Sequence, residues 1–327
     1  GQSVMDEESF VTMDTHTLQD SIATATLDTT DQVFVIPAYL DITLHTNAQK
    51  IDFKDAELTN VLGEVIIRDQ SINLSNLKMD SNIGRGNMTM FYTAKDNSGA
   101  SAGFDLDMED VMVEKLIGLY PAIDTLVPML RSFEGVVDCQ VTATCKMDST
   151  MSLELPSLHS ACYLHGENMV LLDGETFTEI SKTLMFKNKK RNVIDSISVD
   201  LAIKDNKIEV FPFLVEMDRY KVAVGGTHNL DMTFNYHLSV LKSPVPFKLG
   251  IDITGNLDDF KYKIVKCRYK DLFKPAKEAE LDSTRTNVRK EIRESIRNQI
   301  RETAPELVSS LSPNHTVTPP EGESNAL

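Results

Sequence analysis

From residue 229 to 241 the chain reads NLDMTFNYHLSVL, and Leu230, Met232, Phe234, Tyr236, Leu238 and Val240 occupy every second position. Side chains alternate faces along an extended strand, so this spacing predicts one long strand, apolar on one side and polar on the other. About twelve residues at about 3.4 Å each give roughly 40 Å, well beyond an ordinary strand. The same period recurs elsewhere. Leu40, Ile42 and Leu44 alternate with polar residues, and VLGEVIIRDQSINLSNLKMD reads as a hairpin. In that hairpin Val61, Val65 and Ile67 lead to a turn at Arg68–Ser71, and the return runs through Ile72 and Leu74. The alternation slips at Ser75–Asn76 and resumes at Leu77 and Met79, the signature of a bulge. Val137, Cys139, Val141, Ala143, Cys145 and Met147 share a further face, and Met88, Met90 and Tyr92 mark another strand. The first hairpin echoes in SISVDLAIKDNKIEVFPFLVEMD at an offset of 136, matching Val65 to Leu201, Ile67 to Ile203 and Ile72 to Ile208.

An apolar face of six side chains, at roughly 1.5–3 kcal/mol each, represents about 10 kcal/mol of surface that must leave water. A second sheet could cover it, the sheet could curl on itself, or an acyl chain could lie in it. Sandwich strands are shorter and more evenly punctuated than these. The expected fold is therefore mainly β with a few short helices: a long curled antiparallel sheet, a β-groove or half-pipe, followed by an amphipathic C-terminal helix. Short helices are expected at 113–133, broken by Pro121 and Pro128, and at 174–186. Residues 1–32 read as a linker, 33–273 as the sheet domain, 274–304 as a helical extension and 305–327 as a disordered tail. In the helix Val288, Ile292, Ile296 and Ile300 recur every fourth residue. So narrow a stripe predicts a surface or partner-facing helix, dispensable for folding.

The formal net charge of -16 argues against nucleic-acid binding. No apolar run reaches the 18–20 or so residues of a membrane span. The chain opens GQSVMDEESF, without an initiator Met, and is read as a fragment with an anchor or signal expected upstream. Cys139 and Cys145 lie about 20 Å apart on a straight strand, too far to bond, and read as buried thiols. His159, Cys162, His165 and Glu167 resemble a zinc set only on a helix; on a strand the histidines and the cysteine face opposite sides. Two S-x-x-K matches, Ser75 to Lys78 and Ser239 to Lys242, fail on the same ground. No paired carboxylates and no Ser/His/Asp order stand out, so neither an enzyme nor a cofactor or metal is expected. The basic run at Lys261, Lys263, Lys266 and Arg268 reads as a lysine-guarded edge strand, or else as a contact for anionic head groups or an acidic partner.

The stretch LDITLHTNAQKIDFKDAELTNVLGEVIIRDQSINLSNLKMDSNIGRGNMTMFY resembles the AsmA-like C-terminal region, in its Bacteroidetes-type form. So do GFDLDMEDVMVEKLIGLYPAIDTLVPMLRSFEGVVDCQVTATCKMD and the run from LLDGETFTEISKTLMF to GNLDDFKYKI. The resemblance covers roughly residues 33–270 and rests on strands, Asp-rich turns and short helices. It implies a Gram-negative envelope protein in the periplasm, anchored in the inner membrane, with a role in outer-membrane biogenesis. Its larger relatives TamB and YhdP imply carriage of phospholipid or another acyl lipid along a hydrophobic β-groove. On this chain that groove would be lined by Leu40, Ile42, Leu44, Val65, Ile67, Val137, Val141, Leu201, Ile203, Leu230, Met232, Phe234, Tyr236 and Leu238. The alternative is a non-catalytic structural or adaptor module that holds envelope proteins through its sheet edge and the 285–304 helix.

Overall fold

The computed structural model describes residues 32–53, 56–115, 133–171, 192–217, 220–229, 233–244, 248–256 and 259–310. They form one mainly antiparallel sheet of 14 strands that does not close into a barrel. In chain order these are β1 (Ile42–Phe53), β2 (Ala56–Arg68), β3 (Ser71–Ser81), β4 (Arg85–Asp96), β5 (Gly99–Met112), β6 (Phe133–Glu134) and β7 (Val136–Asp148). They continue with β8 (His159–Leu171), β9 (Asn192–Lys204), β10 (Lys207–Met217), β11 (Tyr220–Asn229), β12 (Phe234–Lys242), β13 (Leu249–Gly255) and β14 (Phe260–Val265). Apart from the two-residue β6, which pairs with β8, the strands lie side by side in chain order. β1 and β14 are the two edges.

Local chemistry sets this order. The hairpins β2–β3 and β9–β10 turn through two residues each, Asp69-Gln70 (φ 51° and 59°) and Asp205-Asn206 (φ 52° and 60°). Two successive positive φ values give the twist that tight hairpins need, and Asp and Asn tolerate them. The echo at an offset of 136 thus superposes turn on turn.

Within strands, Asn60, Asn76, Asp110 and Asn168 also take left-handed φ values of 53°, 48°, 57° and 52°. The slip expected at Ser75–Asn76 is one of these: the β3–β4 register shifts between Leu74, opposite Met90, and Leu77, opposite Met88. Such an irregularity resets the side-chain parity and keeps Leu74 and Leu77 on one face. One row then crosses nearly the whole sheet: Leu77, Met88, Leu106, Val141, Cys162, Leu201, Val210, Gly226, Tyr236, Ile253 and Tyr262 stand opposite one another from β3 to β14.

The other face is polar. It carries Asn73, Asp105, Asp107, Gln140, Tyr163 and Asp200, interleaved with Ile66, Phe91 and Ala161. Helix α1 (Pro275–Thr303) lies against this face, followed by α2 (Pro305–Ser310). Arg289 donates to Asp200 at 2.5 Å and to Gln140 at 3.0 Å, and its guanidinium stands 5.1 Å from the Tyr163 ring centroid. Arg285 donates to the Pro212 carbonyl and lies 3.6 Å from Asp200. Arg293 reaches Asp105 at 2.8 Å and Asp107 at 3.2 Å, and Asn73 donates to Thr303 at 2.9 Å. From Arg285 to Thr303 the helix is about 27 Å long. Five strand spacings from Asp200 on β9 to Asn73 on β3 are about 24 Å. The helix therefore crosses the strands as a brace.

Several expectations change. The strand foreseen over 229–241 does not run through: β11 ends at Asn229, whose N–H donates to the Thr233 carbonyl, and β12 begins at Phe234. Alternation continued across the strand break, so the period alone could not reveal it. Leu230 and Met232, all of the short helix foreseen at 174–186, that foreseen at 113–133 apart from residues 113–115 and 133, and most of the linker and tail lie outside the described residues.

The narrow stripe of α1 faces the sheet instead of a partner. Ile292, Ile296 and Ile300 are buried against Ile66, Phe91 and Ala161. Residues 305–310, assigned to the tail, are helical, and Leu307 is fully buried in the same cluster. The stripe suffices because Arg285, Arg289 and Arg293 beside it add charged contacts to the sheet.

Ile296→Asp should therefore lower the melting temperature by roughly 5–10 °C, since an unpartnered buried carboxylate costs several kcal/mol. Asp200→Ala, which removes the buried carboxylate shared by Arg285 and Arg289, should cost about 3 kcal/mol. Thermal melts check both. Truncation at Lys274 that left the melt unchanged would return α1 to the periphery.

Candidate functional site

Among the described residues the apolar face is only partly buried by the fold itself. At one end it is closed. Residues 32–41 fold back, with the Val33 N–H donating to Ser149 and that of Ile36 to Ala94, and Val33 packs on Ala94 and Ala100. Leu158, after the short 3-10 helix Leu155–Ser157, packs on Leu201, Ile203 and Ile208. Near the other end Ile83, Val111, Val113, Val137, Cys139, Met169, Ile194 and Ile197 form a buried cluster.

Between these closures the middle keeps contact with solvent. Leu74, Leu77, Met88, Met90, Phe104, Leu106, Met108, Val141, Cys162 and Leu164 are half-buried. In this middle part the face carries Met79, Met88, Met90 and Met108. Methionine is unbranched and polarisable, which suits a surface that must adapt to its occupant.

The sequence-derived positions divide accordingly. Ile42, Val65, Ile67, Val141, Phe234, Tyr236 and Leu238 are half-buried, while Val137, Leu201 and Ile203 are buried in the end clusters. Leu44 is 49% exposed. Leu40 precedes β1 and is not in a strand; its N–H donates to the Pro37 carbonyl. Register places the strand residues of this set on one face. Phe104, Leu106 and Met108 of β5 and Leu164 of β8 belong with them and were missed, although they show the same alternation.

Burial changes the chemistry here. It pushes the Cys139 thiol up to about 12, helped by the carboxylates of Asp107 and Asp138. Burial also raises Cys145 and Cys162, and lifts the Tyr236 phenol to about 12. All four cysteines are free. Cys162 stands opposite Leu201 on the apolar face, and His165 opposite Ser198 on the polar one, with 2.9 Å between its Nδ1 and the Ser198 hydroxyl. Among the described residues no group of His, Cys, Asp and Glu could hold a metal ion.

The basic run is divided as well. Lys261 and Lys263 lie on edge strand β14 and are exposed, and Lys266 follows it, also exposed. Arg268 turns its guanidinium onto Asp252 at 2.5 Å. That carboxylate belongs to a cluster the sequence did not disclose. Asp252 lies 2.6 Å from Nδ1 of His237, and Nε2 of His237 lies 2.9 Å from the Ser239 hydroxyl. His237 and Ser239 share a strand face, and Asp252 stands opposite His237 in register, so pairing assembles what chain order hides.

The connectivity is that of a Ser-His-Asp triad, but the environment is not. Ser239 is fully buried, and its hydroxyl oxygen accepts the Tyr269 N–H at 3.0 Å. Nε2 of His237 accepts the Arg268 N–H at 3.2 Å, and the Tyr269 ring stands edge-on at 5.1 Å. A nucleophile needs an open approach and a free base. These groups instead pin the segment leading from β14 to α1. The S-x-x-K argument also needs correcting: the bulge at Asn76 puts Ser75 and Lys78 on the same face, but Ser75 is buried and Lys78 exposed.

Comparison with protein-family models, curated proteins and solved structures finds no match.

Two outcomes follow from these environments. A fluorophosphonate probe should leave Ser239 unlabelled in the folded protein, as peptide mass mapping would show. Cys139 stays protonated in the folded state up to about 12 against an ordinary value of 9.0. Its contribution to stability is whole below pH 9.0 and is lost as pH rises towards 12. Cys139→Ala should flatten that part of the stability-against-pH curve in denaturant titrations.

Proposed function

We propose that the chain is a non-catalytic, AsmA-like lipid-handling module of the Gram-negative envelope, holding acyl chains of phospholipid on the apolar face of its sheet. One observation carries the reading. A continuous apolar row spans β3 to β14, stays half-buried at its centre, and stands opposite a polar face already occupied by α1. A soluble chain rarely leaves so extended an apolar surface wet unless something binds there. Each acyl methylene that it shields from water contributes about 0.8 kcal/mol, so even a short chain gives useful affinity without any polar contact.

In this reading the sheet curls into a half-pipe around its apolar side. Left-handed residues in β2, β3, β5 and β8 support the curvature, since bulges bend strands and increase their twist. The amphipathic α1 braces the outer, polar side. The periplasm, an inner-membrane anchor and a part in outer-membrane biogenesis come with the family resemblance and belong to the same proposal. The adaptor alternative loses one of its two handles, because the Ile292–Ile300 stripe is spent on the sheet.

Native mass spectrometry of protein purified from cells, beside Met90→Glu, tests the reading. Met90 lies mid-face between Leu74 and Phe104, half-buried. On an open face the new carboxylate can reach water, so the protein should fold, melt within a few degrees of wild type, and lose most of its co-purifying phospholipid. Undiminished lipid would place the lipid elsewhere. Loss of folding would mean that the face is a closed core. An apo protein carrying a stoichiometric envelope protein would favour the adaptor.

A further inference from the structure

The sheet ends on β14, and no strand among the described residues covers its outer side. Its register against β13 runs without a shift from Gly250–Val265 to Gly255–Phe260, so side chains alternate strictly along it. Tyr262 and Ile264, opposite the buried Ile253 and Ile251, lie on the apolar face and are 52% and 62% exposed. Lys261 and Lys263, opposite Thr254 and Asp252, lie on the polar face and are exposed too. Asp252 is already engaged by His237 and Arg268, and neither lysine makes an ion pair among the described residues. From Phe260 to Lys270 there are five lysines and arginines and no acid, in a chain of net charge -16.

We propose that β14 receives an added strand from a protein partner, one in which apolar and acidic residues alternate. The apolar side chains of that strand extend the face of Tyr262 and Ile264, and its carboxylates stand against Lys261 and Lys263 on the other face. Opposite charges directly across a strand pair favour this register, and like charges oppose it. The free N–H and C=O groups of the edge supply the rest of the affinity, as in other cases of strand addition.

Alternation selects a strand over a membrane as the occupant. An anionic bilayer presents one surface, and the lysines and the two apolar residues point to opposite sides of β14, so a bilayer meets one pair and leaves the other in water. It also leaves the backbone groups of the edge unpaired. A strand meets both faces and pairs the backbone at once. The lysines then work as a filter. They repel a second β14 and any basic strand, which guards the edge against indiscriminate pairing, and they admit an acidic one. The proposal is independent of the lipid reading, since the edge is available whether or not the apolar face holds acyl chains.

The probe is a fluorescein-labelled peptide of about eight residues in which glutamate alternates with isoleucine or valine, beside a control of the same composition with acidic and apolar residues segregated. In anisotropy titrations on the full chain the alternating peptide should saturate between about 1 and about 100 μM, and the control should not. Lys261→Glu with Lys263→Glu should leave the melting temperature unchanged, since both side chains are exposed, and weaken binding by about tenfold or more. The same double substitution should improve binding of a peptide with lysine in place of glutamate. In the complex, hydrogen exchange should slow at every second amide of β14 and stay as it was in β1. Equal binding of the two peptides would overturn the proposal, as would an affinity indifferent to the double substitution or protection confined to β1. Vesicles of phosphatidylglycerol that bind the chain through Lys261 and Lys263 while the alternating peptide does not would also overturn it, and would assign the edge to a membrane.

Discussion

Strict alternation is the constraint on which this structure depends. A strand that gains one residue turns every later side chain to the opposite face, so a sheet of this breadth holds one apolar side only if each insertion is compensated. Here the compensation is local and chemically specific. Asn60, Asn76, Asp110 and Asn168 adopt left-handed backbone that short polar side chains tolerate, and the apolar set resumes on the correct side after each. Without them the row from Leu77 to Tyr262 would break into patches on both faces.

Alternation also produces the polar face, and charge holds α1 to it. A carboxylate such as Asp200 is expensive to bury, and burial holds its proton affinity above the usual carboxylate range even with Arg289 and Arg285 drawing it back. The helix supplies arginines at 285, 289 and 293, one per turn, beside an isoleucine stripe at 292, 296 and 300. Two weak devices share one helix. The isoleucines contribute apolar burial towards the β2–β4 side, and the arginines answer the acids of β5 and β9. Neither stripe alone is wide enough to hold a helix on a core.

The strands were legible because the period of two is written directly into residues such as Val65, Ile67, Ile72 and Leu74. The bulge at Asn76 was legible because alternation visibly slipped there. The break between Asn229 and Phe234 was not, since its residues happen to continue the alternation. The destination of α1 was hidden for a different reason. A one-residue stripe signals exposure only if apolar contact is the sole force, and the complementary acids lie on strands remote in sequence. The His237–Ser239–Asp252 cluster was equally hidden, because Asp252 reaches His237 through strand register and not through chain order. Apolar positions could be assigned to a common face from sequence; how deeply each is buried depends on the coverings at the two ends of that face.

Strand order that follows chain order has a temporal meaning. Nearly every sheet contact joins segments adjacent in the sequence, so the entropy of closing long loops is small for all of them. Each hairpin can add to the growing sheet as it leaves the ribosome, with β1 and β2 in place long before β14 is made. The exception is α1, which binds β3 to β9 and is synthesised after all of them. Until it arrives, Asp105, Asp107 and Asp200 face water without their arginines, and the nascent sheet can adjust its twist. Docking of this later-made helix across strands already paired ties a stack of hairpins together.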